Sequence, residues 1–137
     1  MSKGGLVVMR YATTMNDSRV QNVITISAPL RGTLVTKFLP SNSSEHKELG
    51  YNSKISTEIT GAIDDSYAVY HIVPRWVSKA NLGPASRFKD YIIIPTSSTY
   101  YETTDKNHIY CYNGYYSHLG IPFSTEVANV IIAWLTQ

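Results

Sequence analysis

Three short runs rich in β-branched and aromatic residues, at 20–28 (VQNVITISA), 67–73 (YAVYHIV) and 107–113 (NHIYCYN), are separated by segments far too long for hairpin turns. Such side chains suit the half-buried pleated surface of a sheet. Strands joined by long helical or irregular crossovers pair in parallel, because only a long connection carries the chain back to the end from which it started. The spacing predicts an α/β fold: a mostly parallel sheet of about three strands flanked by helices. Pro29 and Pro74 close the first two strands, since proline cannot donate to a sheet ladder.

The flanking elements carry helical signals. Residues 5–14 (GLVVMRYATT) are apolar nearly all round and follow a Ser-Lys-Gly-Gly start, which predicts a buried helix entered through a tight glycine turn. Near the other end, Ser124 can cap a helix with Glu126 in its first turn, and Val127, Val130, Ile131 and Trp134 recur at i, i+3, i+4 and i+7. Between residues 34 and 66 the pattern weakens into an excursion with a polar run at 40–48, read as short helices. No repeat or linker divides the chain, so residues 1–137 are expected to form a single domain.

Composition excludes several classes. At 43% hydrophobic and 16% charged, the chain is core-forming. Twelve Lys and Arg against ten Asp and Glu give a charge of +2, scattered rather than gathered into a phosphate-tracking stripe, so no nucleic-acid partner is expected. The one cysteine, Cys111, cannot form an internal disulfide; mid-strand it is expected to be a buried, inert thiol and a poor nucleophile for His118. No apolar run approaches the ~20 residues of a transmembrane helix. Neither the cellular location nor the oligomeric state follows from the sequence. Eleven tyrosines are expected mainly in strand and loop packing.

Four motifs bear on chemistry. Ser2-Lys3-Gly4-Gly5 precedes the first helix, where small residues let a strained turn project a serine hydroxyl clear of a sheet. After the first strand comes Pro29-Leu30-Arg31-Gly32-Thr33, and Asp90 opens the run DYIIIPTSS. His118 lies in the loop after the third strand, within Gly114-Tyr115-Tyr116-Ser117-His118-Leu119-Gly120-Ile121-Pro122, ahead of a helix ending in Trp134-Leu135. His46, His71 and His108 lack such a setting, and their spacing fits no zinc pattern, so no metal or cofactor is expected.

Together these segments resemble the C-terminal part of α/β-hydrolases of the lipase and esterase type, starting at the nucleophile elbow, G-x-S-x-G, of which Ser2 and Gly4 fill the last two fixed positions. The resemblance covers nearly the whole chain and is weakest over 34–66, where such lipases commonly insert a lid. It implies Ser2 as nucleophile, His118 as base and Asp90 as the acid that orients it, in the order Ser, Asp, His. It further implies the Lys3 backbone N–H as an oxyanion donor, Pro29, Leu30, Gly32 and Thr33 beside an acyl pocket, and a small-molecule or lipid carboxylic ester as substrate. Asp90 departs from the family pattern by one extra residue before Pro95 and by the long stretch 75–89 ahead of it; Asp17, Asp64, Asp65 and Asp105 are the other aspartates.

In that family the second oxyanion donor comes from a loop after an earlier strand. The resemblance therefore implies the tail of a longer hydrolase, impaired on its own, with an open sheet edge and an uncovered apolar face on the first helix. Two other functions fit the same residues: a non-catalytic hydrolase remnant, and a module whose tyrosine-rich loops hold a carbohydrate or other planar ligand.

Overall fold

The structure, a computed structural model, describes residues 1–15, 17–33, 36, 42–50, 53–61, 67–74, 101, 105, 108–112 and 119–137. Helix α1 (Lys3–Met15) leads into strand β1 (Asn22–Ile26), followed by α2 (Ser44–Leu49), α3 (Lys54–Gly61), β2 (Ala68–Pro74) and β3 (Ile109–Tyr112). A 3-10 turn (Ile121–Phe123) and helix α4 (Thr125–Leu135) complete the order.

The strands form one sheet in the order β1-β2-β3, parallel throughout, as the long crossovers require. Asn22 pairs with Ala68 and Ile26 with Ile72, while His71 pairs with Ile109 and Pro74 with Tyr112. All three carboxyl ends therefore lie at one edge.

Both faces of the sheet are covered, so alternate residues of a strand enter different cores. On one face Val23 and Val69 pack with Leu6, Met9 and Ala12 of α1 and Ile59 of α3. On the other, Tyr70, Ile72 and Tyr112 pack with Ile121 and with Val127 and Trp134 of α4. The Tyr70 and Trp134 rings meet at 4.9 Å between centroids.

Local chemistry sets the helix ends. Ser124 caps α4 by accepting from the Val127 N–H, and the Tyr110 hydroxyl donates to Glu126 in the first turn, tying β3 to the helix. Ser43 caps α2 by accepting from the His46 N–H at 3.1 Å. The expected excursion thus contains two helices, and the second contributes the fully buried Ile59.

Two expectations are corrected. Helix α1 is buried on one side only: Val7 and Met15 are each 62% exposed, with Val8 and Tyr11 also on the outside. A sheet below and α3 on one flank cannot cover the whole circumference of a helix. In β3 it is Tyr112 that is buried, and Cys111 is exposed. The α4-side core takes the larger ring, and strand alternation then turns the thiol outward.

A close approach lies at the start of α1. A Cβ built on Gly5 would lie 2.4 Å from the Ala28 Cβ, whereas one on Gly4 would meet nothing within 4 Å. Gly5→Ala should therefore cost about 1–3 kcal/mol by overpacking. Gly4→Ala should be neutral, or stabilising by up to about 1 kcal/mol through its helix propensity. Thermal denaturation of the two variants checks this; equal midpoints would show that the close approach is absent.

Candidate active site

At the carboxyl edge of the sheet, the Ser2 N–H donates to the Ile26 carbonyl at 3.1 Å. The last residue of β1 thereby holds the residue that enters α1. Ser2 has φ 49°, in the left-handed region that side chains with a Cβ rarely occupy. The next turn closes at once, the Gly5 N–H reaching the Ser2 carbonyl at 2.9 Å. A serine is thus held at a strained corner between sheet and helix, half-buried, with the α1 amino end behind it. A helix amino end carries partial positive charge and stabilises a nearby anion.

Ser27, immediately after β1, also has a positive φ, 46°, and its N–H donates to the Ile72 carbonyl at 3.0 Å. Its hydroxyl is buried and lacks a hydrogen-bond partner among the described residues. The two serines share a corner but differ in access: only Ser2 reaches solvent.

The Lys3 backbone lies in the first turn of α1, and its ammonium pairs with Glu48 of α2 at 2.8 Å. The segment from Pro29 to Thr33 is a tight, largely buried turn. The Gly32 N–H returns to the Pro29 carbonyl at 3.0 Å, and Gly32 has φ 105°, which glycine tolerates at no steric cost. The Leu30 side chain is fully buried, and its carbonyl accepts from the Ser56 hydroxyl of α3 at 2.5 Å. The Thr33 N–H donates to the Leu49 carbonyl at 2.9 Å. Pro29, Leu30, Gly32 and Thr33 are therefore built into the join between β1 and α2–α3. Asp90 and His118 lie outside the described residues.

His71, which lacks a motif setting in the sequence, lies in the core. Its ring is fully buried on the α1 side of β2, with Nδ1 2.7 Å from the hydroxyl of Thr25, its register partner on β1, and Tyr101 set edge-on. The available signal was alternation: Val69, His71 and Val73 share one face, so a polar residue stands at a core position. Burial, with a smaller contribution from the nearby His108, pushes the His71 imidazole from 6.5 down to about 4. It is therefore neutral at neutral pH and enclosed.

Because the folded state resists protonating His71 while the unfolded chain does not, this group contributes no penalty above pH 6.5. Stability should then fall as pH drops from 6.5 to 4, by about 1.4 kcal/mol per pH unit and about 3 kcal/mol in all. Urea unfolding at a series of pH values, compared with the non-titrating His71→Asn, checks this; identical slopes for the two proteins would contradict it.

No family model matches the chain, and comparison with curated proteins finds no match.

Proposed function

We propose that this chain carries the nucleophile end of a serine hydrolase acting on carboxylic esters, with Ser2 as nucleophile, His118 as general base and Asp90 as the acid that orients it. The supporting observation is the corner at Ser2: a left-handed serine, bonded through its N–H to the carboxyl end of β1 and opening a helix that lies against Ala28 through Gly5. Backbone strain at a polar residue persists only where surrounding structure enforces it, and it concentrates at working sites. In open parallel sheets, ligands bind beyond the carboxyl ends of the strands, the edge at which Ser2 stands. Strand β3 ends at that edge with Tyr112, and the six residues from there to His118 span at most ~20 Å.

In this mechanism His118 takes the proton of the Ser2 hydroxyl as Oγ attacks the ester carbonyl carbon. The carbonyl oxygen becomes an oxyanion facing the amino end of α1, where the Lys3 N–H serves as one donor. His118 then returns the proton to the departing alcohol. Water, activated by the same imidazole, releases the carboxylic acid and restores Ser2. Asp90 holds the imidazole in the tautomer that can accept from Oγ.

A fluorophosphonate probe should label folded protein at Ser2, with Ser2→Ala abolishing the label and His118→Ala slowing it by at least 100-fold. Asp90→Asn should slow it at least tenfold, and Asp105→Asn should leave the rate unchanged. Peptide mapping reads the labelled residue. A folded sample that takes no label, or takes it at another serine, would rule the assignment out.

A further inference from the structure

Ser27 weakens the fold in two ways. Its φ of 46° is one that glycine adopts freely and serine does not, and its hydroxyl is fully buried with no hydrogen-bond partner among the described residues. A buried donor left unpaired loses its hydration without replacement. Alanine would remove the second penalty and glycine both, so packing alone does not account for a serine here.

The sheet register shows what lies beside this hydroxyl. Along the ladder a bond runs from an N–H to the carbonyl of the residue before its partner: the Ala68 N–H reaches the Gln21 carbonyl, and Ala68 pairs with Asn22. The Ser2 N–H reaches the Ile26 carbonyl in the same way, which sets Ser2 opposite Ser27 at one strand spacing, ~4.8 Å. Strand β2 fills the other side, where the Ser27 N–H meets the Ile72 carbonyl. Both serines are left-handed, with φ of 49° and 46°. Parallel neighbours with matching φ turn their Cα–Cβ bonds to the same side, so the two hydroxyls project from adjacent positions at the amino end of α1.

An ester carbonyl attacked by Ser2 Oγ acquires its negative charge on an oxygen two bonds from Oγ. A hydroxyl one strand spacing away is within hydrogen-bonding reach of that atom. Burial suits Ser27 to this task, because a donor already kept from water needs no desolvation as charge develops and acts where the dielectric is low. The amino end of α1 favours the same charge.

We propose that the Ser27 hydroxyl is a second donor to the oxyanion formed on Ser2, beside the Lys3 N–H. This rests on Ser2 being the nucleophile, and it assigns the second donor to the end of β1 rather than to the loop that the family resemblance implies. Ser27 keeps its proton throughout: it donates a hydrogen bond to the oxyanion and is released when the carbonyl re-forms, while the Ser2 proton moves through His118.

Ser27→Ala and Ser27→Gly provide the test. Both should lower kcat for p-nitrophenyl butyrate, and the rate of fluorophosphonate labelling at Ser2, at least tenfold, with KM changed less than threefold. An alkyl trifluoromethyl ketone, whose hemiketal on Ser2 carries the oxyanion, should bind both variants at least tenfold more weakly. Neither variant should melt below the unaltered protein, and Ser27→Ala should melt about 2–6 °C higher, because an unpaired buried hydroxyl is gone. A loss of rate that Ser27→Gly does not share would trace to the backbone and overturn the proposal, as would a loss under tenfold in both variants or a lowered melting temperature in both. If the unaltered protein labels at Ser2 and these variants keep its rate, this inference alone falls; if the unaltered protein takes no label, the hydrolase assignment falls and this inference with it.

Discussion

The hydrogen bond from the Ser2 N–H to the Ile26 carbonyl fixes where α1 begins, and much of the fold follows from it. It sets the helix amino end at the carboxyl edge of the sheet, so α1 must run back over β1 toward its start. That direction places Gly5 on Ala28 and then Leu6, Met9 and Ala12 over Val23 and Val69. The absence of a side chain at Gly5 is what lets the helix lie this low. A methyl group there would lift the first turn, and the apolar contacts behind it would loosen together, since close-packed cores transmit displacement.

The same layer contains polar groups that a purely apolar core would omit. Thr25, Ser27 and His71 are all fully buried on the α1 side or at its edge. A buried imidazole is tolerable when neutral and hydrogen-bonded, the state that the Thr25 hydroxyl and the depressed titration of His71 describe. This also separates His71 from catalysis at Ser2. A general base must reach the proton it removes, and an imidazole enclosed between sheet and helix has no route to an external substrate.

The fold was legible in the sequence where the pattern has one solution. Runs of β-branched residues divided by long crossovers admit a parallel sheet and little else, and Ser124 with Val127 and Trp134 marks one sided helix. Legibility failed where both sides of an element carry apolar residues. In α1, Val7, Val8 and Met15 are as hydrophobic as Leu6 and Met9, so composition cannot say which side meets the sheet. In β3, Cys111 and Tyr112 are both plausible core residues, and the outcome depends on the volume available beside Val127 and Trp134. At the candidate site, small residues around Ser2 announced a tight turn, but its left-handed backbone depends on the bond to Ile26, a contact distant in sequence. Asp90 and His118, named from their motifs, lie outside the described residues.

The two sides of α1 have different tasks because the first turn leaves no freedom to exchange them. Rotating the helix to bury Val7 or Met15 would bring a side chain in place of Gly5 against Ala28, where the available space is already below van der Waals contact. The outer apolar stripe is therefore fixed in its orientation, and α2 and α3 can form a cleft against it only because it cannot turn inward. Their attachment comes from the neighbouring join: Leu30 bonds Ser56, and Thr33 bonds the end of α2 at Leu49, itself a wall of the cleft. The corner and the cleft are thus two consequences of one helix placement.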